Sequence, residues 1–118
     1  MDAQKTAITA AEAALSKKAI DIEIIDVSTK VDYAQYLVLC SARVERQVRA
    51  IADEIEIRLK KKKVRPLGTE GMQSGSWVLM DYGDVVIHVF HEDAREYYDL
   101  DSLWMDAERL SIPPEPEE

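Results

Sequence analysis

The segment at residues 75–90, GSWVLMDYGDVVIHVF, leaves the middle of this chain little conformational choice. Two apolar runs flank Asp81-Tyr82-Gly83-Asp84, and Gly83 supplies the positive φ that tight turns require, so the segment reads as an antiparallel β-hairpin. A two-residue turn at Tyr82 and Gly83 sets Asp81 opposite Asp84, Met80 opposite Val85, Leu79 opposite Val86, Val78 opposite Ile87 and Trp77 opposite His88. Side chains alternate between the faces of a sheet. One face then carries Val78, Met80, Val85, Ile87 and Val89; it is wholly apolar and belongs beneath helices, where each such side chain contributes roughly 1.5 to 3 kcal/mol before conformational entropy is counted. The other face carries Trp77, Leu79, Asp81, Asp84, Val86, His88 and Phe90. Large apolar groups with polar tips suit a surface that is dry in a complex and wet alone.

The remaining pattern places this hairpin in a layered α/β (α+β) protein with a mixed, roughly five-stranded sheet packed with helices. Alanine-rich residues 6–18 repeat Ile8, Ala11, Leu15 and Ala19 at helical spacing, and residues 21–26 form a β-branched strand with Ile22 and Ile24 on one side and Ile25 and Val27 on the other. A polar loop follows. YLVLCSA, from Tyr36, is a continuous apolar run, as in a strand covered on both faces, and Ser41 is placed to cap the next helix. That helix, residues 43–63, shows Val44, Val48, Ile51, Ile55 and Leu59 on one face and is expected to be a right-handed crossover between parallel strands. It ends in Lys60, Lys61, Lys62 and Lys63, which complement the helix dipole and also leave a contact with RNA open. A short strand at residues 64–67, a glycine-rich loop, and helical segments at 92–97 and 100–109, the latter capped by Asp99 or Asp101, complete residues 1–110 as a single expected domain. The acidic Pro/Glu tail, 111–118, is too polar to pack.

With 23 acidic against 15 basic residues the net charge is −8, which opposes binding to phosphate backbones and favours a basic protein partner. Direct nucleic-acid contact is therefore expected to be minor or absent. The lone Cys40 cannot form an internal disulfide and reads as a small buried hydrophobe. No apolar run approaches the ~20 residues of a membrane helix, and the N-terminal MDAQKTAITA resembles neither a secretory signal nor a transit peptide, so the cytoplasm is expected.

A catalytic reading starts from Gly75-Ser76 and the two aspartates. In nucleotidyltransferases a Gly-Ser step precedes two carboxylates one residue apart on a strand, both aimed at magnesium. Asp81 and Asp84 are separated by two residues across a turn, with no third carboxylate and no lysine or arginine clamp in the neighbouring glycine loop. His88 has the right chemistry for a general base but no recognisable nucleophile to serve. A homodimer using the mixed face against itself is a further reading.

Three blocks, SARVERQVRAIADEIEIRLKK, GSWVLMDYGDVVIHVF and REYYDLDSLWMDA, resemble the signature blocks of the ribosomal silencing factor, or Iojap-like, family over residues 3–110. The resemblance implies a nucleotidyltransferase-like fold without catalysis or cofactor. It also implies a translation repressor that binds protein L14 on the large ribosomal subunit and prevents the small subunit from joining when nutrients are scarce, with organellar relatives acting in large-subunit assembly. The expected contact residues are Trp77, Leu79, Asp81, Tyr82, Asp84 and His88 from the hairpin, with Tyr97, Tyr98 and Trp104 from the third block; Leu103 and Trp104 also read as core, and Tyr98 as a hydrogen-bonding group across the sheet.

Overall fold

The computed structural model describes residues 1–112. Helix α1 (Ala3–Ser16) leads through a tight turn into β1 (Ile20–Asp26), and β2 (Tyr36–Ala42) runs into the long helix α2 (Glu45–Lys61). Then come β3 (Gly68–Glu70), the hairpin strands β4 (Trp77–Asp81) and β5 (Val85–His91), short helices α3 (Glu92–Tyr98) and α4 (Leu100–Leu103), and β6 (Glu108–Leu110). The sheet order is β3-β4-β5-β2-β1-β6, six strands rather than five. Only β2 and β5 pair in parallel; the other neighbours are antiparallel. No described helix is long and apolar enough to cross a membrane.

Both large helices lie on one face of the sheet. Asp2 caps α1 by accepting from the Lys5 amide at 2.8 Å, and Ala7, Ala10, Ala11, Ala13 and Ala14 are completely buried, so the small side chains let α1 approach α2 and the strands closely. Val48, Ile51, Ile55 and Leu59 of α2 are equally buried and meet Ile24, Val38, Cys40 and the hairpin's Val78, Met80, Val85, Ile87 and Val89 in one cluster. The apolar face read from alternation is thus the helix-covered face. Cys40 is fully enclosed, and burial pushes its thiol up to about 12, which keeps it neutral and unreactive. A second cluster of Ile25, Val27, Leu37, Leu39, Phe90, Trp104 and Ala107 lies on the opposite face.

The hairpin register differs from the expected one by two residues. Trp77 pairs with Phe90, Leu79 with His88, Met80 with Ile87 and Asp81 with Val86. One local and one long-range interaction account for the longer turn. The Asp81 carboxylate accepts from the Gly83 amide at 2.8 Å, and the Asp84 carbonyl accepts from the Gln35 and Tyr36 amides at 2.7 and 3.1 Å, which draws Asp84 toward β2 and away from Asp81. A two-residue offset preserves the face of every side chain, so the division into two faces survives.

Other differences are local. Ser41 stays in β2 and does not cap α2, whose N-cap is Val44 with no side-chain hydrogen bond. Residues 64–67 are irregular, and the third strand begins only at Gly68. The second C-terminal helix is a single turn; Arg109, expected at its end, sits in β6 against β1. Asp99 adopts a left-handed conformation between the two short helices and makes no side-chain capping bond, whereas Asp101 binds elsewhere. Of the acidic tail, residues 113–118 lie outside the described residues. Before β4, Gly71 has φ +91°, and a Cβ there would lie 1.9 Å from the Trp77 carbonyl oxygen, so any larger residue must displace the start of β4.

Candidate functional site

The face opposite the large helices carries an aromatic cluster open to solvent on one side. Trp77 starts β4 and Phe90 lies directly across from it on β5, with ring centroids 5.1 Å apart. His88 is two residues along the same strand, and it stacks on Phe90 at 5.8 Å with planes 9° apart. Trp77 Nε1–H donates to His88 Nδ1 at 3.0 Å, so the imidazole carries its proton on Nε2. His88 is buried, and desolvation pushes its pKa down to about 4. It is therefore neutral at physiological pH, and its Nδ1 lone pair is already engaged by the indole.

Helix α3 covers this cluster only in part. Tyr98 lies on Trp77 at 4.6 Å, and Tyr97 meets Tyr98 edge to face at 5.0 Å. Tyr97 is 82% exposed and Tyr98 52%, and Leu103 and Met105 downstream are exposed as well, so the C-terminal block displays several large apolar side chains.

An ion-pair node holds α3 and α4 against the sheet beside the aromatics. Arg95 of α3 is largely buried. It donates through Nε to Asp101 Oδ2 at 3.1 Å and through Nη2 to Asp101 Oδ1 at 2.9 Å, a two-pronged contact, and it reaches Ser41 Oγ at 3.0 Å, the Asp21 carbonyl, and Glu23 at 3.4 Å. Arg109 approaches the other oxygen of Glu23 at 3.5 Å. The Arg95 hydrogen bonds hold the Asp101 carboxyl below its ordinary value, whereas burial, with Asp101 nearby, pushes Glu23 up. Over this node opens a cleft of about 950 Å³ lined by seven carboxylates, among them Glu23, Glu92, Glu96, Asp99 and Asp101. The spatial neighbourhood of the aromatic patch is thus strongly acidic.

The residues singled out from sequence fall into three places. Trp77, His88 and Tyr98 form one contacting group, with Tyr97 at its exposed edge. Leu79 and Asp81 share the Trp77 face of β4, nearer the turn. Tyr82 lies on the other side, packed against the helix-side cluster; burial pushes its phenol up to about 12. Asp84 is an exposed turn residue. Trp104 is 8% exposed within the second core cluster, while Leu103, also read as core, is exposed. Tyr98 packs against Trp77 with the ring planes tilted by 44°, in place of the expected hydrogen bond across the sheet.

The carboxylate pair of the catalytic reading is not assembled. Asp81 faces Val86, not Asp84, and spends an oxygen on the Gly83 amide. Among the described residues, no three His, Cys, Asp or Glu side chains converge in a metal-holding arrangement. Sequence reasoning missed Arg95 and its partners, because they come from residues 21, 23, 41 and 101; the only local signal was an arginine six residues before an aspartate.

A family model described as "Ribosomal silencing factor during starvation" matches residues 1–118. The ribosomal silencing factor of Bacillus subtilis is 41% identical over 105 residues, which cover 88% of this chain and 89% of that protein. The chloroplastic protein Iojap of Zea mays is 28% identical over 107 residues, covering 91% of this chain and 46% of the plant protein. Among solved structures, one from Chromobacterium violaceum superposes with a TM-score of 0.86 at 36% identity, over 97% of this chain and 94% of that one. Another, from Bacillus halodurans, gives 0.81 at 32% identity, over 92% and 99%.

Proposed function

As the chain belongs to the ribosomal silencing factor family, we propose that it represses translation by occupancy: residues 1–110 act as one domain that docks on the large ribosomal subunit through protein L14 and keeps the small subunit from joining. No chemistry on a substrate is needed for this. A domain of that size held by a standard interface, roughly 800 Å² on each partner, is bulky enough to obstruct a close-fitting subunit joint. The cytoplasm, where ribosomal subunits meet, is the compartment of this activity.

The observation that carries the reading is the half-covered aromatic patch of Trp77, Tyr97 and Tyr98, set beside the acidic cleft. Interface energy concentrates in a few aromatic anchors. Trp77 is held in place by His88, Phe90 and Tyr98, so little side-chain entropy remains to be lost on docking. The surrounding carboxylates favour a basic protein and disfavour RNA at the same spot, which orients the encounter. In this reading His88 is a positioning residue for the Trp77 indole, and Leu79, Asp81 and Asp84 extend the contact toward the hairpin tip. Trp104 supports the patch from below, and Tyr82 stiffens the turn from the helix side.

Cosedimentation with purified large subunits tests the proposal. Tyr98→Ala removes an exposed ring and leaves the sheet intact, so the variant is expected to fold by circular dichroism and to bind at least about 10-fold more weakly. Trp77→Ala is expected to abolish binding. A folded Tyr98→Ala protein that cosediments like the wild type would refute the assignment.

A further inference from the structure

A second surface lies at the C-terminal end of α2, around residues 60–65. Lys60, Lys61, Lys62, Lys63 and Arg65 are all exposed. None of them forms an ion pair with a described residue, although the chain has an excess of carboxylates. Of the ten cations elsewhere, Lys30, Arg43, Arg58, Arg95 and Arg109 each find a carboxylate and the other five are spread more thinly along the chain, so it is the density of unpaired charge that marks this end. Five positive charges in six residues sit on a protein of net charge −8, so the rest of the chain carries −8 − 5 = −13.

Helix stability does not account for the cluster. Charge at a helix C-terminus acts over the last turn, about 0.3 to 1 kcal/mol in all, and Arg58, Lys60 and Lys61 already occupy that turn. Lys62 is the C-cap, Lys63 stands beyond it with φ +64°, and Arg65 lies in the irregular segment after it. Like charges packed so closely repel one another. The five cations span the last turn of α2, its C-cap, a left-handed residue and the irregular segment that follows.

We propose that this end is an auxiliary contact for the phosphate backbone of RNA, separate from the aromatic patch. Lysine ammonium groups on long flexible stems suit phosphates at variable positions and read no sequence. On its own the contact holds only at low salt, because the acidic remainder is repelled. Once another part of the protein is docked beside RNA, it acts at high effective concentration and adds affinity without new protein contacts. The cluster therefore serves as a salt-sensitive second foothold, and this part of the inference rests on the large-subunit reading above.

The test uses the full chain and the variant Lys60→Gln, Lys61→Gln, Lys62→Gln, Lys63→Gln, Arg65→Gln, whose exposed changes leave the fold intact by circular dichroism. Binding is measured to a duplex RNA oligonucleotide and to purified large subunits at 50 and 200 mM salt. Every cation taken off a phosphate lowers the slope of log affinity against log salt by about 0.7 to 0.9. The wild type is expected to bind the duplex at low salt and the variant not to; on large subunits the variant is expected to be about 10-fold weaker, with a slope smaller by about 2 or more. Unchanged affinity and slope on large subunits overturn the proposal. So does weaker binding to subunits when neither protein binds the duplex, which would assign the cluster to an acidic protein. If the wild type ignores large subunits altogether, the functional reading above fails, and duplex binding by the wild type but not the variant still decides this inference.

Discussion

On the helix-covered face of the sheet, Ile24, Val38, Cys40, Val78, Ile87 and Val89 are completely buried, and their neighbours from α1 and α2 are alanine, valine, isoleucine and leucine. The same strands present Glu23, Ser41, Trp77 and His88 to the other side, where two short helices cover them incompletely and an arginine holds the cover down. The first face needs nothing beyond close packing, and the second combines apolar area with hydrogen bonds that fix particular rings. That difference separates the demands on the two faces: one should tolerate no loss of volume, whereas the other can lose its exposed rings at little cost to folding.

The largest expected effect breaks the sealed face. Ile87→Ala removes a fully buried side chain beneath α2 and should destabilise by about 2 to 5 kcal/mol in a denaturant titration, with the proposed docking surface unaltered in whatever fraction stays folded. Next comes the latch of the open face. Arg95→Ala strands Asp101 and Glu23 near one another; both carboxylates are about a third exposed, so water softens the loss to roughly 2 kcal/mol. Faster amide exchange in α3 and α4 than in α2 would distinguish release of the latch from global unfolding.

A comparable effect depends on pH. His88 is neutral when folded, with its pKa depressed to about 4 from an ordinary 6.5, so the unfolded chain binds the extra proton first as pH falls. Its contribution is complete above pH 6.5 and is lost on acidification, about 2 kcal/mol by pH 5. His88→Gln, which can still accept from the Trp77 indole but does not titrate, should flatten the stability profile between pH 7 and 5. A slope identical to the wild type would remove His88 as its source. The smallest effect is that of Tyr97→Ala, which should change stability by less than about 0.5 kcal/mol because the ring is mostly in water.

The two faces were legible from the sequence because alternation depends only on parity, and the two-residue register offset leaves parity unchanged. The offset itself was not legible. It follows from the bonds between Asp84 and the amides of Gln35 and Tyr36, which lie at the start of β2 nearly 50 residues earlier. β6 was invisible for a similar reason: three residues become a strand only because β1 offers a free edge. The contact between Trp77 and His88 could be anticipated from their shared face, although they meet diagonally. Tyr82 could not be placed, since turn residues escape alternation. Arg95 required four distant partners at once. Its position beside two tyrosines hid a structural role inside a block that reads as an interaction motif.

The proposed ribosome contact is the open face rather than the sealed one. Hydroxyl-radical footprinting of the protein free and bound to large subunits measures this at single residues, with Met1, exposed at the start of the helix side, as the internal reference. The expected result is strong shielding of Tyr97 and Tyr98 in the complex, with Met1 as reactive as in the free protein. Shielding of Met1 with both tyrosines still fully reactive would contradict it.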